Sequence, residues 1–300
     1  MPRLPLVADE LAGEDVPIAW EDARAANLAN WNDRVPIHAG GGYDIEAFRT
    51  NPVHISQVVA VDLPVLERFL AGGVSGLDLC HLQCHIGTDT LSFARKGARV
   101  VGVDFSQPAL DAAATLASEL RHDAEWVATD VLDARAAVTA QLGEDRSFDV
   151  VYTSIGTVWW LNDLDVWAAQ VAALLRPGGV FYIRDGHPAM YALDERQQDL
   201  VSMYRYFPNG NAQAWDVEGS YVGEGSVDNR RTYEFPHPVS EVLQALIGAG
   251  LDLAWIDEGK TLPWRFSTFM VEREDGDFEL PEDQREVMPL TFTAVARKRG

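Results

Sequence analysis

The segment from Gly76 to Ser106 constrains the fold of this chain more than any other part of the sequence. The pattern predicts an apolar strand over Leu77–Leu82 and a tight turn that ends at Gly87. A helix is then predicted over Thr88–Lys96, followed by a second apolar strand over Ala98–Val103. Strands that are apolar almost throughout are typical of a parallel sheet with helices on both faces. Asp104 follows the second strand, at the sheet edge where open α/β folds bind ligands. Because a carboxylate there can accept hydrogen bonds from both hydroxyls of a ribose, this unit predicts a site for an adenosine-containing cofactor.

The alternation of short apolar strands with amphipathic helices continues to Gly186 and predicts an α/β fold with a doubly wound sheet. Five more strands are predicted, over Glu125–Ala128, Phe148–Ser154, Val180–Asp185, Leu251–Asp257 and Leu290–Ala296. Further helices are predicted after the N-cap residue Ser106 and over Asp133–Leu142, Asp163–Leu175 and Pro238–Ile247. Together these patterns predict a sheet of seven strands.

Three segments lie outside this alternation and are expected to cover the carboxyl edge of the sheet. Residues 1–74 are predicted to form an N-terminal helical cap, with helices around Ala19–Asp33 and Pro52–Leu70. Residues 187–237 interrupt the alternation, and residues 259–289 separate the last two strands by more than a hairpin needs. Many aromatic residues in these two segments argue against disorder. We therefore divide the chain into this cap, a cofactor-binding core (75–186), a substrate-cap insertion (187–237) and a closing segment (238–300).

The composition excludes several classes of partner. The chain has 24 Lys and Arg against 46 Asp and Glu, a formal charge of −22. Nucleic acids and anionic membrane surfaces require clustered basic residues, so we expect neither as a partner. No segment has the roughly 20 apolar residues that cross a bilayer, and no apolar signal region is visible at the N-terminus. Cys80 and Cys84 provide no disulfide framework, which favours a cytoplasmic location. The sequence leaves open whether the chain forms a homo-oligomer.

The order of the motifs resembles that of the class I S-adenosylmethionine-dependent methyltransferases over Leu77–Asp185. A glycine-bearing turn follows the first strand, acids follow the second and third, and the segments FDVVYTSIG and LLRPGG complete the series. One motif departs from the family pattern, because His81 replaces the usual acid while Gln83 and His85 replace two glycines. The departure resembles a subgroup with a Leu-Gln-Cys-His turn. The resemblance implies a Rossmann-like methyltransferase fold with an antiparallel last strand, and S-adenosylmethionine as the cofactor.

The resemblance also implies which residues bind that cofactor. They are His81, Gln83, His85, Gly87, Asp104, Phe105, Asp130, Val131, Ser154 and Ile155. Asp104 would bind the ribose, Asp130 would accept from the adenine amino group, and the turn would hold the zwitterionic methionine end. The alternatives are a helix-capping acid at Asp104 and a surface acid at Asp130. Gln83 and His85 would obstruct a pyrophosphate, which argues against a dinucleotide.

Residues after the fifth strand and in the excursions are candidates for contact with a methyl acceptor. Asp185 and His187 are predicted to act as a general base or to orient the acceptor, the alternative being that His187 only turns the chain into the cap. Predicted substrate contacts come from His38, Tyr43, Trp159 and Trp264. Aromatic walls favour a small, partly apolar or aromatic acceptor, and a cationic amine is left open.

No metal site is expected, because alternate strand residues point to opposite faces and the run CHLQCH cannot converge on zinc. We therefore predict an enzyme that moves the methyl group of S-adenosylmethionine to an oxygen, nitrogen or carbon of a small metabolite. Methylation of an isoprenoid or alkene carbon is a narrower alternative. The rivals from other classes are a nicotinamide-dependent oxidoreductase and a non-catalytic S-adenosylmethionine-binding protein.

Overall fold

The computed structural model describes residues 11–223 and 225–300, so residues 1–10 of the predicted cap lie outside the described part. The helices are α1 (Trp20–Ile37), α2 (Ile45–Thr50), α3 (Gln57–Leu66), α4 (Thr88–Arg95), α5 (Gln107–Leu120), α6 (Ala134–Leu142), α7 (Leu164–Leu174), α8 (Pro188–Tyr191) and α9 (Val239–Gly248). The strands are β1 (Leu11–Val16), β2 (Asp78–Leu82), β3 (Arg99–Asp104), β4 (Ala124–Ala128), β5 (Phe148–Ser154), β6 (Leu175–Gly186), β7 (Ala212–Asp216), β8 (Arg231–Glu234), β9 (Leu251–Gly259), β10 (Thr261–Leu262), β11 (Val271–Glu272), β12 (Phe278–Glu279) and β13 (Thr291–Lys298). Short helical turns lie at His38–Gly42, Glu67–Phe69, Val131–Asp133 and Val158–Trp160.

Seven strands form the central sheet in the order β4-β3-β2-β5-β6-β13-β9. Neighbouring strands from β4 to β6 are parallel, whereas β13 runs antiparallel to both β6 and β9. The predicted seven-stranded, mostly parallel sheet is therefore confirmed, including its antiparallel last strand. The chain moves outward from β2 to β4 and then returns to β5, so the strand order reverses between β2 and β5. Ligands of open α/β sheets bind at such a reversal, outside the carboxyl ends of the strands.

Both faces of the sheet are covered, which explains the apolar strands. Helices α6, α7 and α9 cover one face, where Trp167 and Leu246 pack with the strands. Helices α3 and α4 cover the other, where Leu63 and Phe93 contact the opposite side chains of the same strands. Every residue of β2 is buried, as is typical of a central parallel strand.

A roof of three pieces lies over the carboxyl edge of the sheet: helix α1, the antiparallel sheet β1-β7-β8 and the small sheet β10-β12-β11. Helix α1 is fastened to β8 through Asn27, whose side chain both donates to and accepts from the backbone of Tyr233 at 2.8 Å. One turn later, Asn30 Nδ2 donates to the carbonyl of Asn229 at 2.6 Å. The first segment and the insertion are thus joined into one layer.

The roof contains strands that the sequence did not predict. The first segment was predicted as helical, yet Leu11–Val16 pairs with β7 in the insertion. The helices predicted around Ala19–Asp33 and Pro52–Leu70 are observed as α1 and, over a shorter range, α3. Among the described residues, no helix is long and apolar enough to cross a membrane.

Candidate active site

A cavity of about 1620 Å³ lies between the carboxyl ends of the strands and the roof. Its floor includes Asp104 and Ser154 at the ends of β3 and β5, and its roof side includes Trp31 and Trp264. Pockets for one drug-sized ligand usually measure roughly 300–1,000 Å³. This cavity therefore has room for two small molecules side by side.

The turn after β2 keeps a glycine-like backbone although two of its residues have side chains. Gln83 and His85 have φ angles of 57° and 49°, in the left-handed region that costs most residues about 1–2 kcal/mol. Hydrogen bonds hold this shape: the N–H of Cys84 donates to the carbonyl of Val103 at 3.0 Å, and Gln83 Nε2 donates to that of Thr157 at 3.0 Å. The variant motif therefore forms the expected turn and adds two side chains to the cavity wall.

Gly87 has a packing role in this turn. Its φ is 76°, and a Cβ there would lie 2.6 Å from the ring of Trp126 and 2.7 Å from the Cβ of Ala113. The residue does not line the cavity. Gly87 is therefore not placed for the predicted cofactor contact, because its open side faces β4 and α5.

Asp104 is almost buried and directs a carboxylate into the cavity. Its Oδ1 accepts from the N–H of Ser106 at 2.9 Å and its Oδ2 from the N–H of His85 at 2.8 Å. Burial raises the pKa of Asp104 to about 6, although these backbone donors favour the charged form. Each oxygen retains a lone pair, so Asp104 can still accept two further hydrogen bonds, as a ribose diol requires. The neighbouring Phe105 also lines the cavity.

Two oxygen acceptors face the part of the cavity next to the turn. The Oε1 atom of Gln83 is buried and has no hydrogen-bond partner among the described residues. Asp89, in the first turn of α4, also lines the cavity, and burial raises the pKa of its carboxyl to about 6, with Asp62 adding to the rise and Ser56 opposing it. An unpaired buried acceptor is costly unless a ligand donates to it. Gln83 and Asp89 together suit an ammonium group.

Arg34 adds a buried cation to the same region. Its side chain lies over the rings of Trp31 and Tyr221, at 5.5 and 5.9 Å, and its Nε donates to Asn30 Oδ1 at 2.6 Å. Burial lowers the pKa of the guanidinium, and no carboxylate of the described chain lies within salt-bridge distance. Because buried charges are normally paired, Arg34 is suited to receive an anionic group of a ligand.

His38 lies behind the cavity wall. It is fully buried, and its Nδ1 and Nε2 lie 2.7 Å from His85 Nε2 and Ser220 Oγ. Burial lowers the pKa of His38 to about 2 and that of His85 to about 3, so both rings are neutral at physiological pH. His38 was predicted to contact the substrate, but the structure places it behind the cavity wall, where it does not face a ligand. It supports His85, which does line the cavity.

Asp130 lies at the cavity wall with Val131, but its carboxylate is already engaged. Oδ2 forms an ion pair with Arg24 of α1, and Oδ1 accepts from the N–H of Leu132 at 2.9 Å. Arg24 lies 106 positions before Asp130 and belongs to no motif, so its contact with Asp130 could not be predicted from the sequence. The pair fastens the roof to the loop after β4, so an adenine amino group would share Asp130 with this arginine.

Asp185 and His187 do not line the cavity, which argues against their predicted role as a base. Asp185 is buried, and its carboxylate accepts from the N–H groups of Thr157 and Val158 at 2.9 Å, from that of Gly186 at 2.7 Å and from that of Gly156. These bonds shape the loop after β5. His187 Nδ1 accepts from the N–H of Ala189 at 3.1 Å and so caps α8, as the structural alternative predicted.

A buried polar network lies beneath the end of β5. Asp62 of α3 is fully buried, forms an ion pair with Arg184 and accepts from Ser154 Oγ at 3.0 Å. The hydroxyls of Tyr152 and Tyr182 donate to the same carboxylate at 2.5 and 2.9 Å. Ser154 and Ile155 both line the cavity. The hydroxyl of Ser154 points away from it, toward Asp62 in the core. His81 is held similarly, with Nδ1 2.8 Å from Thr90 Oγ1.

Aromatic side chains make up much of the wall beyond the turn. Trp159 stacks on Tyr191 with ring centroids 4.4 Å apart, and Tyr221 lies edge-on to Trp264 at 6.4 Å. Tyr43 reaches the cavity and forms a hydrogen bond with Tyr221 through the two hydroxyls. Three of the four residues predicted to contact a substrate, namely Tyr43, Trp159 and Trp264, therefore lie at the cavity wall.

Glu234 of β8 also lines the cavity and was not singled out in the sequence. Its carboxylate accepts hydrogen bonds from the indole groups of Trp159 and Trp215. The strand Arg231–Glu234 is short and lies in a segment without a recognisable motif, so its position could not be read from the pattern. Trp31 and Arg34 were also not predicted as site residues. Their spacing of three positions could have indicated them, because it places both side chains on one side of helix α1.

Comparison with known proteins identifies the domain that carries this site. Residues 80–181 match a family model described as a methyltransferase domain. The ubiquinone biosynthesis O-methyltransferase of Mesorhizobium japonicum is 27% identical over 169 residues, covering 54% of this chain and 63% of that protein. The cypemycin N-terminal methyltransferase of Streptomyces sp is 31% identical over 121 residues, covering 39% and 45%. The chain thus spans less than two thirds of the length of these curated relatives.

Solved structures agree on the fold. A methyltransferase of Burkholderia thailandensis, solved with 1,6-didemethyltoxoflavin and S-adenosylhomocysteine, superposes with a TM-score of 0.52 at 18% identity, covering 98% of both chains. An S-adenosylmethionine-dependent methyltransferase of Clostridium acetobutylicum gives 0.52 at 14% identity, covering 79% of this chain and 88% of that one. The family resemblance predicted from the motifs is confirmed, and the chain carries a class I methyltransferase domain, of the family whose cofactor is S-adenosylmethionine.

Proposed function

We propose that the chain transfers the methyl group of S-adenosylmethionine to a small, partly apolar or aromatic metabolite. The observation that carries the proposal is the cavity of about 1620 Å³, which has the free acceptor positions of Asp104 on its floor and aromatic rings on its walls. A single ligand would leave much of this volume unfilled. A donor over β2 and β3 and an acceptor beside β5 would fill it together.

The residues present fit the cofactor along its whole length. Asp104 would accept from the ribose hydroxyls, and the loop with Asp130 and Val131 would border the adenine. At the other end, the unpaired Oε1 of Gln83 would accept from the ammonium group and Arg34 would bind the carboxylate. When bound, S-adenosylmethionine supplies a methyl group on a cationic sulfur that is a good leaving group.

The chain's own task is alignment and exclusion of water. Methyl transfer is an in-line displacement, so holding both reactants in contact provides most of the acceleration that a protein can give. The Asp185 carboxylate contributes indirectly, because it fixes the loop from Gly156 to Val158 that begins the acceptor side. Residues 75–186, together with Arg34 of α1, would thus bind the donor. The segments before and after them, together with Trp159, would enclose the acceptor.

The proposal assigns the reaction to a small molecule in a reducing compartment. Both cysteines are buried as free thiols, and the excess of 22 negative charges disfavours polyanions. The O-methyltransferases among the relatives favour an oxygen acceptor.

Binding and turnover measurements test this function. Calorimetry should show that the purified chain binds S-adenosylhomocysteine and not NAD, and a methyl-labelled donor should label members of a panel of phenols, alcohols and amines. Binding of NAD in preference to S-adenosylhomocysteine would overturn the proposal. Cofactor binding without labelling of any acceptor would instead favour the non-catalytic binding protein.

A further inference from the structure

Glu234 has one satisfied and one open carboxylate oxygen. Its Oε2 accepts from Trp159 Nε1 at 2.6 Å and from Trp215 Nε1 at 2.8 Å. Within residues 11–223 and 225–300, no hydrogen bond reaches Oε1. Two donors on one oxygen fix the orientation of the carboxylate, and they leave the other oxygen available to a molecule in the cavity.

The position of Glu234 places it on the acceptor side. Trp159 follows β5, and Tyr191, which stacks on it, follows β6. The N–H of Phe235 donates to the carbonyl of Trp159 at 2.8 Å, so the end of β8 is fixed to the loop after β5. Asp104 lies on the other side of β2 in the strand order. A donor anchored at Asp104 would therefore leave the space next to Glu234 for the acceptor.

We propose that Glu234 is the general base of the reaction and that the acceptor is a small alcohol or phenol, methylated on oxygen. This inference rests on the proposed function. In the step, the hydroxyl oxygen uses a lone pair to form the new bond to the methyl carbon, and the electron pair of the broken carbon–sulfur bond stays on sulfur. The hydroxyl proton passes to Oε1 of Glu234. The positive charge of the sulfonium and the negative charge of the carboxylate are both lost, so the step is balanced.

The surroundings of Glu234 favour this role. Burial raises the pKa of its carboxyl to about 7, while the indole donors and the charge of Arg34 oppose the rise and Glu195 adds to it. Tyr191 also faces the carboxylate and stays protonated, because burial and nearby carboxylates raise its pKa. A base whose pKa is close to the working pH is efficient at proton transfer. Aromatic walls around it match the flat face of a phenol.

The first test measures the proton on Glu234 without any turnover. Tryptophan emission of the protein should change with a midpoint near pH 7, because protonation of Glu234 alters the hydrogen-bond acceptor of two indole groups. Glu234→Gln keeps an oxygen for both indoles and should abolish this transition. Trp159→Phe removes one donor to the anion and should move the midpoint upward. Glu218→Gln, an exposed ion-paired residue in the same insertion, is the matched control and should leave the transition unchanged.

The second test uses 4-nitrocatechol, whose ionisation is visible by absorbance, added to the complex with S-adenosylhomocysteine. The wild type should bind the probe about tenfold more tightly than Glu234→Gln does, because the carboxylate accepts from a probe hydroxyl. The wild type should also complete the ionisation of the bound probe at higher pH than the variant, because a carboxylate disfavours a phenolate beside it. Equal S-adenosylhomocysteine affinity and equal melting temperatures of the two proteins would show that the donor site and the fold are intact.

The outcomes separate the inference from the proposed function. An identical fluorescence titration in wild type and Glu234→Gln, or no binding of 4-nitrocatechol by the wild type, would overturn the role of Glu234 while cofactor binding still supports the methyltransferase. Binding of benzylamine that depends on Glu234, with no effect on 4-nitrocatechol, would overturn the hydroxyl acceptor in favour of an amine. Failure of the wild type to bind S-adenosylhomocysteine would overturn both.

Discussion

Replacing Asp104 by asparagine should weaken binding of S-adenosylhomocysteine by about 30-fold. Both carboxylate oxygens already accept one backbone N–H, from Ser106 and His85, so each has one position left for a ribose hydroxyl. The asparagine retains one acceptor oxygen and loses the charge. Hydrogen bonds to a charged group contribute about 1.5–3 kcal/mol each. The loss of one such bond, about 2 kcal/mol, corresponds to a factor of about 30 in the dissociation constant.

The pH dependence of binding provides a second measure of the same carboxylate. Burial raises the pKa of Asp104 to about 6 in the free protein. Below that pH the carboxyl is increasingly protonated and loses its charge and one acceptor position, so affinity should fall by about tenfold per pH unit. Above it, affinity should be constant. The Asp104→Asn variant should show a smaller fall, because its amide does not titrate and only Asp89, whose pKa burial also raises to about 6, still loses its charge in this range.

Isothermal calorimetry at several pH values measures both effects. Asp123→Asn, at an exposed residue before β4, is the control and should bind as the wild type does. A change of less than about threefold in Asp104→Asn, in a protein that melts at the wild-type temperature, would refute the ribose-binding role.

Three further substitutions test other parts of the structure. Asp62→Asn should lower the free energy of unfolding in urea by about 3–5 kcal/mol, because Arg184 loses its buried partner; a loss below about 1 kcal/mol would contradict the ion pair. Arg34→Met should weaken S-adenosylhomocysteine binding about tenfold but leave 5′-methylthioadenosine, which lacks the carboxylate, unaffected; equal effects on both would exclude the carboxylate contact. Gly87→Ala should cost about 2–4 kcal/mol in the same urea assay, from its positive φ and the clash with Trp126, and a neutral result would contradict that packing.

Most of the sheet could be predicted because its signals are local. Parallel strands buried on both faces are apolar runs, and Ser106 caps α5 as its sequence suggests, with its Oγ accepting from the N–H of Ala109 at 3.2 Å. Asp104 was also predictable, since its place at a strand end depends only on the strand. The variant turn could be aligned to a glycine-rich motif because it has the same number of residues between the strand and the helix.

The roof and the acceptor wall depend on contacts between distant parts of the chain. Pairing of β1 with β7 joins residues about two hundred positions apart, and neither strand has an apolar pattern strong enough to stand out. The role of Asp185 was misread for a related reason. A carboxylate at a strand end can accept hydrogen bonds from a ligand or from a neighbouring loop. Only the structure shows that the carboxylate of Asp185 already accepts from the backbone N–H groups of Gly156, Thr157 and Val158, in the loop after β5.

The pairing of β1 with β7 has a practical consequence for dissecting this protein. A version of the chain that starts at Trp20 would retain the whole central sheet, yet it would expose one edge of β7, with unpaired N–H and C=O groups open to any other strand. Such edges promote self-association. Shortened versions intended for crystallisation or for binding assays should therefore retain Leu11–Val16, although this strand lies outside residues 80–181, which the family model matches.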